Sequence, residues 1–228
     1  TKGGGHGDYK LIVLAPASVQ ELMDLTIEAF DLADMYRNPV LLLGDAILGQ
    51  MMEPVVIKER AKVDLPPKTW ATTGAKGRPK NVITSLSLDP AKLEEHNLSL
   101  AEKYARISNE QVRYMTYMAD DAETLLVAYG TSARIAQAAI DMARERGLKV
   151  GLFRPISLWP FPYDALQLTS QGSLRVLVVE MSLGQMVEDV RLATGNSKSV
   201  HFYGRTGGMT PTPREVLNEI ERIVEEGI

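Results

Sequence analysis

The chain contains no cysteine. This removes disulfides, CxxC redox chemistry, a thiol nucleophile, thiolate-bound zinc and cysteine-ligated iron–sulfur clusters from this polypeptide. Any electron carrier is therefore expected elsewhere. Histidine is also scarce, with three in 228 residues. His96 and His201 read as surface and strand residues, and no histidine pair has metal-ligand spacing, so no metal site is expected. No GxSxG elbow, GxGxxG fingerprint or P-loop occurs, and no self-contained catalytic constellation is found. No apolar run approaches the roughly 20 residues of a membrane span, and the glycine-rich start lacks the basic-then-apolar plan of a signal peptide. The expected compartment is the cytoplasm, without a membrane partner. A net charge of -4 gives no field that would draw nucleic acid.

What is present is an ordinary globular composition, 45% hydrophobic and 24% charged, long enough for one large or two small domains. Such a chain buries roughly 70% of its unfolded surface and needs neither disulfide nor structural metal. It opens on a loop, Thr1 to Asp8, that feeds straight into a strand, and so reads as cut.

Residues 10–15 are continuously apolar, the pattern of a strand covered on both faces. Ser18 and Glu21 form an S-x-x-E capping box, and Val19, Leu22, Met23, Ile27 and Phe30 continue a helix to about Met35. Asn38-Pro39 stops it, and Val40 to Leu43 supplies a second strand. Two strands and one helix cannot cover their own apolar faces, so this segment, 1–57, must belong to a larger α/β domain or lean on a partner. From 58 to 121 runs a linker or arm, with seven Lys or Arg against three acidic residues between 58 and 89. An extended segment that wraps a neighbour is the better reading for its first half. Asp89-Pro90 opens a helix expected over about 90–118. Residues 122–228 show four strand-then-helix repeats, with strands at 124–129, 149–153, 175–179 and 200–203. A mostly parallel sheet follows, with ligands expected beyond the carboxyl ends of its strands.

Several features at those ends have a chemical and a structural reading. The turn Gly130-Thr131-Ser132 can hold an anion on free N–H groups or be a plain helix start. Glu180, Ser182 and Gln185 can form a site or interface, or cap the next helix. The loop from Arg205 through Gly207 and Gly208 to Pro211 can bind an anion or simply deliver the last helix. His6 beside Asp8 places an imidazole and an acid within reach of one ligand.

The residues His6-Gly7-Asp8-Tyr9, Ala15-Pro16-Ala17-Ser18, Leu43-Gly44-Asp45, Phe153-Arg154-Pro155-Ile156, Glu180-Met181-Ser182-Leu183-Gly184-Gln185-Met186 and Tyr203-Gly204-Arg205-Thr206-Gly207-Gly208 resemble the alpha subunit of 2-oxoacid:ferredoxin oxidoreductases, most closely its branched-chain, 2-oxoisovalerate branch. The resemblance implies an α/β fold: the C-terminal half of a thiamine diphosphate pyrimidine-binding domain, then a transketolase C-terminal-like domain. It implies oxidative decarboxylation of a 2-oxoacid with coenzyme A to acyl-CoA, carbon dioxide and reduced ferredoxin. Thiamine diphosphate with magnesium would be shared with a beta subunit, and iron–sulfur clusters would sit in other, gamma- and delta-type subunits. The family's catalytic glutamate would lie upstream of Thr1, so no catalytic residue is carried onto this chain. By the same resemblance Gly5, His6 and Asp8 are expected near the cofactor or substrate cleft. Glu180, Ser182, Gln185, Arg205, Gly207 and Gly208 are expected at a subunit contact or toward coenzyme A. The competing expectations are a stand-alone α/β module, regulatory or anion-binding, and a structural subunit without catalysis.

Overall fold

The computed structural model describes residues 2–3, 7–195 and 198–227. The first apolar run forms β1 (Ile12–Leu14), fully buried as its lack of polar residues requires. The Ser18 hydroxyl accepts from the Glu21 N–H and starts α1 (Val19–Tyr36), which ends where Arg37 takes a left-handed conformation. The chain returns as β2 (Val40–Leu42), parallel to β1, and a short α2 (Ala46–Gln50) follows. Residues 51–89 contain no helix or strand.

The helix opened by Asp89-Pro90, α3 (Pro90–Glu110), stops eight residues short of the expected end near 118. Tyr114–Tyr117 is instead β3, with side chains alternating between exposed and half-buried. The methionines at 115 and 118 fit a helical stripe, but the run from Tyr114 to Tyr117 is aromatic and β-branched with period two. An available sheet edge decides in favour of the strand.

β4 (Thr124–Val127), α4 (Gly130–Glu145), β5 (Val150–Pro155), α5 (Tyr163–Ser170), β7 (Arg175–Glu180), α6 (Met186–Thr194), β8 (Ser199–Gly204) and α7 (Pro213–Glu225) build the second unit, with β6 (Ser157–Trp159) between β5 and α5. Its sheet runs β3-β5-β4-β7-β8, parallel except for β3. Helices α4 and α7 pack on one face through residues such as Ala136, Ile140, Leu217 and Ile220. Helices α5 and α6 cover the other through Leu166, Val187 and Val190.

β6 does not join this sheet. It pairs antiparallel with β1, giving a second sheet of order β2-β1-β6. The first segment thus gains a strand from the second unit and a helix face from α3, whose Ile107 and Tyr104 pack with Leu14, Leu32 and Trp159. Beside this junction Arg154, buried on β5, makes a two-pronged ion pair with Glu21 of α1, at 2.6 and 2.8 Å. Burial works against the Glu21 charge, but hydrogen bonds from Arg154 and from the Ala17 N–H overcome it and hold the carboxyl below the ordinary glutamate value.

Removing one member of a buried pair strands the other. Glu21→Gln is expected to destabilise the chain at neutral pH toward the lower end of about 3–5 kcal/mol, since about a third of the Glu21 side chain meets solvent. Because the folded carboxyl is depressed, the stabilisation is complete above the unfolded value of 4.5 and fades as pH falls through the folded one. Urea titrations from pH 7 to 3 should show the two proteins converging in acid.

Candidate functional site at the carboxyl ends of the central strands

In the strand order β3-β5-β4-β7-β8 the connections leaving β4 and β7 run in opposite directions, so the crevice beyond the ends of these two strands is a topological switch point. A cleft of about 570 Å³ opens there, lined by Tyr129 after β4, by Met181, Ser182 and Gly184 to Met186 after β7, and by Phe161 and Asp189. Lys2 and Leu43 come from the first segment, so the cleft lies between the two units. Lys2 donates to the Tyr163 hydroxyl at 3.1 Å and forms an ion pair with Asp189. Burial opposes the Lys2 charge, but these contacts with Asp189 and Tyr163 raise its pKa above the ordinary lysine value. Desolvation, reinforced by the nearby carboxylates of Glu180 and Asp45, raises the Tyr129 pKa and keeps it a neutral phenol.

Glu180 is 1% exposed and every direction of its carboxylate is used. Ser182 donates its hydroxyl at 3.0 Å, and the backbone N–H groups of Gln185, Met186 and Val187 donate at 2.9 to 3.3 Å. The acid that closes β7 therefore neutralises the open N-terminus of α6. Ser182 also accepts from the Gly184 N–H, which folds the loop back, while the Gln185 side chain stays exposed. Gly204 allows this: a Cβ there would stand 2.4 Å from the Ser182 carbonyl oxygen.

The turn at Gly130 is closed in the same manner by a residue from the other unit. Asp45 accepts from the Thr131 N–H at 3.1 Å and hydroxyl at 2.8 Å while capping α2 through the Leu48 N–H. An internal carboxylate thus stands where an anion would bind, and the anion reading of Gly130-Thr131-Ser132 gives way to a cap. Arg205 is held by Glu215 at 2.8 Å beside the Thr212 capping box of α7, while Gly207 and Gly208 turn the exposed loop with positive φ. Gly5 and His6 lie outside the described residues. Asp8 does not meet the Glu180 loop; it is exposed, accepts from Asn97 at 3.3 Å and borders a different groove beside α3. Sequence reasoning missed Tyr129, Asp189, Lys2 and Asp45 as members of this region. Asp45 had one usable signal, an acid just past the end of a buried strand.

A family model described as pyruvate flavodoxin/ferredoxin oxidoreductase, thiamine diphosphate-binding, matches residues 6–119, half of the chain. A second, pyruvate:ferredoxin oxidoreductase core domain II, matches 122–216. The chain belongs to the pyruvate/2-oxoacid:ferredoxin oxidoreductase family. Within this family it is 50% identical over 225 residues to the ketoisovalerate oxidoreductase subunit VorB of Methanothermobacter marburgensis, matching 99% of this chain and 64% of that one. The chain therefore spans less than two thirds of that curated relative. Among solved structures, a 2-oxoglutarate:ferredoxin oxidoreductase from Magnetococcus marinus, with 2-oxoglutarate, coenzyme A and succinyl-CoA bound, superposes with a TM-score of 0.74 at 22% identity. The match takes in 96% of this chain and 43% of that chain. A split-gene transketolase, an inactive beta4 tetramer, matches at 0.53 and 14% identity over 93% of this chain and 56% of that one. The fold is thus mixed α/β, and most of it is shared with a transketolase.

Two substitutions test the capping geometry. Glu180→Gln places an amide against four donors and should cost about 2–3 kcal/mol, with faster hydrogen exchange at the Met186 and Val187 amides. Asp45→Ala should cost about 1–2 kcal/mol and uncover the α4 N-terminus. Added phosphate should then raise the melting temperature of the variant more than that of the parent chain, a difference thermal scans would read.

Proposed function

We propose that this chain is part of the alpha subunit of a 2-oxoacid:ferredoxin oxidoreductase that takes branched-chain substrates such as 2-oxoisovalerate. The observation that carries the reading is the 50% identity, over 99% of the chain, to a ketoisovalerate oxidoreductase subunit. The reaction is oxidative decarboxylation with coenzyme A, giving acyl-CoA, carbon dioxide and reduced ferredoxin in the cytoplasm. Thiamine diphosphate, bound with magnesium and shared with a beta subunit, supplies the carbanion-stabilising chemistry; iron–sulfur clusters in gamma- and delta-type subunits take the electrons. Residues 1–57 form the partial pyrimidine-binding unit, 58–121 the arm and its helix, and 122–228 the transketolase-type unit. On this reading the diphosphate and its magnesium belong to the beta subunit.

This chain contributes position rather than proton transfer. Gly5, His6 and Asp8, in the loop before β1, are assigned to the cofactor side of the first unit. The loops carrying Glu180, Ser182, Gln185, Arg205, Gly207 and Gly208 are assigned to a subunit contact rather than to coenzyme A. A phosphate-rich ligand needs open cations, whereas Lys2 is committed to Asp189 and Arg205 to Glu215. The tips of the same loops expose Leu183 and Met209, which suits a protein surface.

An assembly that contains this chain and its partner subunits should reduce ferredoxin fastest with branched-chain 2-oxoacids, and only when coenzyme A is present. Equal or better turnover of 2-oxoglutarate or pyruvate would overturn the branched-chain assignment, and no turnover of any 2-oxoacid would overturn the activity. Since the chain has no cysteine of its own, Leu183→Cys gives a single attachment point, and a short cross-linker there should capture another subunit.

A further inference from the structure

One buried donor at the junction of the two units has no partner. Arg154 is 3% exposed, and its two terminal nitrogens donate to the Glu21 carboxylate at 2.8 and 2.6 Å. Its Nε, buried with them, meets no acceptor. A guanidinium carries five N–H donors in one plane, so a carboxylate met end-on leaves the side edge, Nε–H and a terminal N–H, free to grip a second one. Buried donors without an acceptor are rare in folded proteins, because each has lost its water for nothing.

A cavity of about 240 Å³ opens beside this guanidinium, between the start of α1 in the first unit and β3, β5 and α4 in the second. It shares no lining residue with the cleft at the ends of β4 and β7. One water takes up roughly 30 Å³ in the liquid, so the space admits more than the single molecule that would satisfy Nε. The lining selects what fits. Two cations, Arg154 and Arg134, face one carboxylate, Glu21, whose oxygens are already taken by Arg154 and by the Ala17 N–H. Glu53 pairs with Arg134 at 2.7 Å but lies outside the lining. Gln137 brings an amide, and Met115, Leu152 and Ala133 supply apolar wall. Surplus positive charge, an unused donor and apolar wall together complement a small molecule with an anionic oxygen pair and a short hydrocarbon body.

We propose that this cavity is a binding site for a short-chain aliphatic carboxylate. Its oxygens accept from the side edge of Arg154 and from the Gln137 amide, Arg134 supplies further positive charge, and the hydrocarbon lies on Met115 and Leu152. The site is built from Glu21 and its neighbours in one unit and from β5 and α4 in the other. An occupant therefore ties the units together and stabilises the folded chain by mass action.

Butyrate is the probe, compared at matched ionic strength with neutral butyramide, with acetate and with inorganic phosphate. Calorimetry on the full chain should show saturable butyrate binding at least about tenfold tighter than butyramide, which lacks the charge, and tighter than acetate, which lacks the hydrocarbon body. In nitrogen–proton correlation spectra of the parent chain, the Arg154 Nε–H signal should move along the same saturation curve. Gln137→Leu, on the half-buried face of α4, should weaken butyrate at least about fivefold; the spectra of the parent chain decide the matter should this variant fold poorly. Absence of saturable binding would leave the cavity to water and overturn the proposal. So would butyramide or phosphate binding as tightly as butyrate, or an Arg154 Nε–H signal that stays in place while butyrate binds.

Discussion

Six consecutive residues, Arg154 to Trp159, hold the two units in one body. At the first of them a buried guanidinium grips the α1 carboxylate of Glu21. Two residues later the Ile156 carbonyl accepts from the Ala15 N–H, and β6 then runs along β1. Ser157 accepts from the Arg113 N–H and donates to the Pro160 carbonyl, and Trp159 meets Tyr104 of α3 edge-on. Separating the units would take the carboxylate from a buried guanidinium and break a row of backbone hydrogen bonds between β1 and β6. The cleft between the units inherits its shape from this junction.

The same rule recurs at that cleft. Helix N-termini at strand ends are natural anion sites, yet α6 is filled by Glu180 from the preceding strand and α4 by Asp45 from the other unit. Glu53 does likewise for α1, accepting from the Val19 N–H while paired with Arg134 of α4. Internal carboxylates thus occupy these anion-binding ends, and two of the three, Asp45 and Glu53, do so while linking the two units. What stays open is a half-polar cleft, loop tips with exposed apolar residues, and a basic arm. A chain organised in this way works by its surfaces, as the proposed role within a larger assembly requires.

Much of this was legible in sequence. Continuous apolar runs gave buried strands, Ser18 and Asp89 gave helix starts, and the strand-helix alternation after 122 gave the parallel sheet. Local signals failed where two periods overlapped, as at Tyr114 to Tyr117, and where a short strand borrowed its partner from far away, as at Ser157 to Trp159. Three residues carry too little pattern to announce a strand; the unpaired edge of β1 creates it. The roles of Glu180 and the Gly130 turn were open between ligand and cap because sequence names an acid or an N–H without naming its partner.

The sequence by itself determined the family, the α/β class and the absence of thiol chemistry, since these rest on residue identity and local period. Tertiary structure alone decided which carboxylate closes which helix, that β6 belongs to the first sheet, and that the arm keeps its apolar side outward. Most of those outcomes depend on groups far apart in the chain arriving within hydrogen-bonding distance, Asp45 and Thr131 across 86 positions and Glu21 and Arg154 across 133, and no local pattern encodes such a meeting.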